Sequence, residues 1–167
     1  MGIRFNIDEV LEMACEIERN GVVFYSQAQD CFDDQDAKKF LADLAAMEVE
    51  HEKTFKAMKA ALTETDKQPL AYDPEGLISL YLQSLADDHV FDLKHDTCAL
   101  TSATTPAEIL KSAIKKERDS IVFFVGLKEL VPERFGRGKI DNIIREEINH
   151  VAVIKKELAR VCAAEAS

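Results

Sequence analysis

The chain has 167 residues, 47% of them hydrophobic, which suits one domain with one sizeable core and argues against disorder. Its net charge of −10 sets it against nucleic-acid phosphates and anionic membrane surfaces, so neither is expected as a partner. No apolar run reaches the roughly 18 residues of a membrane span, and the start, Met1-Gly2-Ile3-Arg4-Phe5-Asn6, shows neither a signal-peptide core nor a myristoylation motif, so a cytoplasmic protein is expected. Cys15, Cys31, Cys98 and Cys162 form no C-x-x-C pair and read as reduced thiols.

Four segments carry apolar residues at helical spacings of three and four. The first runs from about Ile7 to Cys31, with Asn6 and Glu9 placed as a capping box. Its stripe is Ile7, Leu11, Ala14, Glu18, Gly21, Tyr25 and Ala28. The second follows the polar stretch Asp33 to Asp36 and runs from about Asp36 to Leu62, with Leu41, Leu44, Glu48, His51, Phe55 and Met58 on one face.

Residues 63–105 form a connection too long for an ordinary turn between bundle helices. Asp73-Pro74-Glu75 and the apolar stretch from Leu77 to Leu85 predict an extra helix within it. Asp87-Asp88-His89 and His95-Asp96 read as a solvated face rather than a second metal site. The third long helix begins cleanly, with Thr105 as cap, Pro106 in the first position and Glu108 completing the box. It carries Leu110, Ala113, Glu117, Ser120, Phe124 and Leu127 on its stripe and stops near Pro132. The fourth runs from about Lys139 to Ala163, with Ile143, Glu147, His150, Ile154 and Leu158 facing inward.

The chain also repeats itself at an offset of 99 residues: ERNGVVFY at 18–25 falls on ERDSIVFF at 117–124, and Glu48-Val49-Glu50-His51 falls on Glu147-Ile148-Asn149-His150. Two helical hairpins, 6–62 and 106–163, are therefore expected to face each other about an approximate two-fold axis, with residues 63–105 crossing between them in a single domain, 1–167.

Each stripe is broken by one Glu, and the second and fourth helices add a His three residues later, on the same face. Four carboxylates in a bundle core cost several kcal/mol apiece without compensation, and no Lys or Arg lies on these stripes to supply it. Two divalent cations would balance the four charges. Neutral imidazoles would complete a mixed nitrogen and oxygen ligand set suited to iron, manganese or zinc. Tyr25, two turns beyond Glu18, reads either as a hydrogen-bond donor or redox neighbour of the site or as a core aromatic; its repeat mate Phe124 lacks the hydroxyl. Gly21 offers room for a neighbouring side chain to approach.

With Glu18 and Tyr25 seven apart, Glu48-x-x-His51, Glu117 and Glu147-x-x-His150, the chain resembles the rubrerythrin-like branch of the ferritin-like di-iron carboxylate superfamily over both hairpins. The resemblance implies an all-α, ferritin-like four-helix bundle. It implies Glu18 and Glu117 as terminal ligands, Glu48 and Glu147 as bridges, and His51 and His150 each capping one of two iron ions. Two departures stand out: Ser120 occupies the place of the extra Glu that rubrerythrins carry one turn after the Glu of helix three, and the chain has no rubredoxin domain. The expected function is a di-iron oxidoreductase acting on hydrogen peroxide or dioxygen, with a separate electron donor and a homodimeric state. The rivals are a ferroxidase or iron-handling protein, and a metal-free helical interaction module.

Overall fold

A computed structural model of the chain describes residues 6–66, 77, 80, 81 and 105–165. Four long helices account for most of them: α1 (Ile7–Ala28), α2 (Gln35–Ala60), α3 (Pro106–Leu130) and α4 (Arg137–Glu165). Two single 3-10 turns, Gln29–Cys31 and Glu133–Phe135, follow α1 and α3.

The helix starts are set by side chains that take up backbone N–H groups left free by the first turn. Asn6 accepts from the Glu9 amide at 2.8 Å while Glu9 accepts from the Asn6 amide at 2.9 Å. Thr105 and Glu108 repeat the device at 3.2 and 2.9 Å, with Pro106 in the first turn of α3. Asp34 caps α2 through the Asp36 amide at 3.2 Å, so that helix begins one residue ahead of the expected Asp36. α4 begins two residues ahead of the expected Lys139 because the chain reverses at Gly136, whose φ of 95° lies in the left-handed region. Arg137 can then enter the helix at once, and Gly138 falls inside its first turn.

Which ends meet is settled by two apolar layers. One gathers the start of α1 (Val10, Leu11), the end of α2 (Phe55, Met58), the end of α3 (Phe124, Leu127) and the start of α4 (Ile140). The other gathers Tyr25 and Ala28 from the end of α1, Leu41 from the start of α2, Leu110 from the start of α3 and Ile154 from the end of α4. Thus α1 runs antiparallel to both α2 and α3, and α4 is antiparallel to α2 and α3. The hairpin contacts α1 to α2 and α3 to α4 dominate the packing. Helix α2 is about 39 Å long at about 1.5 Å per residue. It ends in the first layer, whereas α3 starts in the second, so residues 63–105 join opposite ends of the bundle.

Within that connection, residues 77, 80 and 81 are helical. Tyr81 packs against the first layer, with its hydroxyl donating to the Val122 carbonyl at 2.8 Å. The expected helix start at Asp73-Pro74-Glu75, the acidic and histidine pairs at 87–89 and 95–96, and Cys98 lie outside the described residues. No described helix is long and apolar enough to cross a membrane.

Candidate metal centre

Between the two apolar layers lies a third that is not apolar. Among the described residues, the buried polar and charged side chains are Glu18, Glu48, His51, Glu117, Glu147 and His150, none more than 4% exposed. All six residues expected from the sequence therefore meet at the centre of the bundle, delivered by four helical stripes. A buried Leu, Ile or Phe contributes about 1.5–3 kcal/mol, whereas each buried ion costs several. This layer therefore works against the fold unless something else compensates it.

The geometry divides the layer into two overlapping sets of four. Glu18, Glu48, His51 and Glu147 present one ligand atom each within 4.8 Å of one another, and so do Glu48, Glu117, Glu147 and His150. Glu48 and Glu147 belong to both. Glu147 sets Oε1 2.9 Å from His51 Nδ1 and Oε2 3.1 Å from His150 Nδ1. Glu48 mirrors it, with Oε2 3.4 Å from His51 Nδ1 and Oε1 3.4 Å from His150 Nδ1. Glu18 reaches only His51, at 3.7 Å, and Glu117 only His150, at 3.6 Å. The imidazole rings lie 5.7 Å apart and 21° from parallel.

Four atoms facing this centre, Glu18 Oε1, Glu48 Oε1, His51 Nδ1 and Glu147 Oε1, are buried without a hydrogen bond. A buried polar atom left this way costs about 1–3 kcal/mol. Four such atoms converging from three helices fit cation ligation, and carboxylate oxygens with imidazole nitrogens fit iron, manganese or zinc. Among the described residues no lysine or arginine is buried in the layer; Arg19, adjacent to Glu18 in sequence, instead pairs at 3.0 Å with both Glu12 and Glu52 nearer the surface.

Without metal the layer neutralises itself by sharing protons. Burial raises the Glu18 and Glu117 carboxyls well above the usual range, helped by neighbouring carboxylates. Burial opposes charge on His150, but contacts with Glu117, Glu147 and Glu48 win and push it up to about 12. His51 is likewise raised, burial being outweighed by Glu147, Glu18 and Glu48. Burial also opposes charge on Glu48 and Glu147. The imidazoles outweigh it for both, and for Glu147 a hydrogen bond with the Glu117 carboxyl counts still more, so both are held low. The arrangement thus favours charge on the two imidazoles and on the two carboxylates they share, and the proton-holding form of Glu18 and Glu117.

Three further residues shape the centre. The Tyr25 hydroxyl donates to Glu117 Oε1, a partner across the bundle rather than on its own helix, while its ring packs in the second apolar layer. Burial, reinforced by Glu117 and Glu48, raises its phenol and keeps the proton in place. At Gly21 an added Cβ would sit 3.0 Å from Glu48 Cγ and 3.4 Å from Cδ, so the missing side chain makes room for the carboxylate arm. Glu146, not anticipated from the sequence, lies 2.8 Å from His51 Nε2 on the side away from the centre. A signal was present: the residue just before the Glu of Glu-x-x-His is an acid at Glu146, whereas its repeat mate is Met47.

A cavity of about 50 Å³ adjoins the centre between α1 and α3, lined among others by Gly21, Tyr25, Glu48, Glu117 and Ser120. Ser120 donates to the Lys116 carbonyl at 3.1 Å.

No protein-family model matches the sequence, and no curated protein matches it. A solved structure from Thermotoga maritima, provisionally described as a ferritin-like diiron-carboxylate protein, superposes with a TM-score of 0.69 at 22% identity, covering 95% of this chain and 98% of that one. The fold is thus a ferritin-like all-α bundle.

Proposed function

We propose that the chain is a di-iron carboxylate oxidoreductase of rubrerythrin-like kind, acting on hydrogen peroxide or dioxygen with electrons from a separate donor. The observation that carries the reading is the sharing of Glu48 and Glu147 between the two sets of four, each carboxylate turning one oxygen toward each histidine. That is what two adjacent metal positions require of bridging ligands. Glu18 and His51 complete one position, Glu117 and His150 the other. The description of the Thermotoga structure as a diiron-carboxylate protein agrees with this assignment.

When bound by these six residues, two ferrous ions would supply two electrons together to an O–O bond. The protein's part is to hold, enclose and supply protons. The ligands come from four packed helices and keep their spacing. The cavity of about 50 Å³ has room for roughly three to five waters at about 10–15 Å³ each, which suits dioxygen or peroxide. Tyr25 keeps a proton at its hydroxyl oxygen, directed at Glu117. Ser120 is bonded to the backbone of its own helix and has no carboxylate to exchange with Glu117.

The test is to load metal-free protein with ferrous iron anaerobically and then mix it with dioxygen or hydrogen peroxide. Catalytic peroxide or dioxygen consumption sustained by an added reductant supports the reading. Iron accumulating well beyond two ions per chain would replace it with iron handling. Protein that takes up no metal would leave a helical interaction module.

A further inference from the structure

The repeat invites the assumption that both metal positions are alike; the surroundings of the two histidines say otherwise. His51 directs Nδ1 at the centre and Nε2 at Glu146, 2.8 Å away. An imidazole whose outer N–H donates to a carboxylate has its tautomer and ring orientation set, and becomes a stronger donor at the inner nitrogen. His150 also directs Nδ1 at the centre, but its outer nitrogen is fully buried and makes no hydrogen bond. The 99-residue offset puts Met47 where Glu146 stands, so the hairpin that would serve His150 supplies no carboxylate there. The terminal carboxylates differ in the same sense. Tyr25 donates to Glu117 and draws charge from it, whereas Phe124, the repeat mate of Tyr25, has no hydroxyl to offer.

We propose that the two positions fill in a fixed order, the Glu18 and His51 position first, and that Glu146 is the positioning residue that sets the order. This rests on the metal reading above and extends it to an inequivalence within the pair. The metal at the Glu117 and His150 position is bound more weakly and exchanges more readily. Loss of such an outer partner typically costs ten- to a hundredfold in metal affinity. The Glu146 side chain is 51% exposed, and water screens its bond, so about tenfold is expected here.

The experiment is an anaerobic titration of the metal-free full chain with cobalt(II), read by its visible d–d absorption and by calorimetry. Wild type is expected to bind in two resolved steps. His150→Ala retains the tighter step, and His51→Ala loses it. Glu146→Ala weakens that step about tenfold and merges the two, while the melting temperature of the metal-free protein stays within a few degrees. Glu146→Gln keeps an acceptor oxygen and recovers part of the loss. Met47→Glu strengthens the weaker step by giving His150 an acceptor. Two equal steps in wild type, or steps unchanged in Glu146→Ala, overturn the proposed order while leaving a two-metal site intact. Absence of any cobalt binding overturns the metal reading and the order with it.

Discussion

Tyr25 donates its phenolic proton to Glu117 across 92 residues of sequence, joining the first helix to the third at the edge of a buried layer of acids and imidazoles. The bond ties together two hairpins that pack against each other far less than each packs within itself. Tyr25→Phe removes the donor without changing the shape of the core and leaves a buried carboxyl oxygen unpaired. The metal-free protein should lose about 1–3 kcal/mol, read by urea unfolding. A change below a few tenths of a kcal/mol would mean that Glu117 finds another partner.

Metal loading should release protons. Without metal, the layer raises His51, His150, Glu18 and Glu117 above their ordinary values and so favours the proton-holding form of each. Ligation needs neutral imidazole and ionised carboxylate, so two metal ions should displace protons from these groups, up to about four. The sign follows: acid favours the proton-holding, metal-free layer, and apparent affinity rises steeply with pH. Calorimetry of zinc or cobalt binding in buffers of different ionisation enthalpy measures the number directly. A value near zero would mean that the layer is already deprotonated before metal arrives.

Gly21 should act on the metal rather than on the fold. Ala in a helix interior is favoured over Gly by about 0.8–1 kcal/mol, but at this position the new methyl meets Glu48 Cγ at 3.0 Å. The two effects oppose each other in the metal-free protein, where Glu48 can give way. They do not cancel in the loaded protein, where Glu48 is held on both ions. Gly21→Ala is expected to leave the metal-free melting temperature within a few degrees and to weaken the binding of both ions.

Gly126 has the opposite profile. A methyl group there collides with the Tyr81 ring, which reaches α3 from the connection between the hairpins. Gly126→Ala should cost about 1–3 kcal/mol of stability through overpacking, read by thermal or urea unfolding. Metal affinity should be little changed, because neither residue belongs to the buried polar layer.

Much of the site could be read from the sequence because helical periodicity is a strong constraint. Once Glu48 and His51 are placed on one helix three residues apart, they must share a face, and the repeat carries the same statement to Glu147 and His150. The caps at Asn6 and Thr105 were likewise local, each box closing within three residues. What periodicity does not report is which residue of one helix meets which residue of another. Tyr25 stands on the stripe of Glu18 yet bonds Glu117, and Glu146 faces His51 on another hairpin. Both pairings depend on the antiparallel placement of the hairpins, a tertiary fact. The fourth helix starts earlier than the expected Lys139 for a local reason: Gly136 alone takes the left-handed conformation that ends the loop, and Gly138 is already helical.

The most direct test of a paired metal centre is ion stoichiometry across four single variants, measured after anaerobic ferrous loading and removal of free iron. Two ions per chain are expected in wild type. About one should remain in Glu18→Ala and in Glu117→Ala, each of which strips a single position, and almost none in Glu48→Ala or Glu147→Ala, whose side chains serve both. The melting temperature should rise on loading wild type, by about 2.7 kcal/mol of added stability for each ion at a hundredfold excess over its dissociation constant. Equal losses in all four variants would contradict the division into terminal and shared ligands. No bound ion and an unchanged melting temperature in wild type would contradict the metal centre itself.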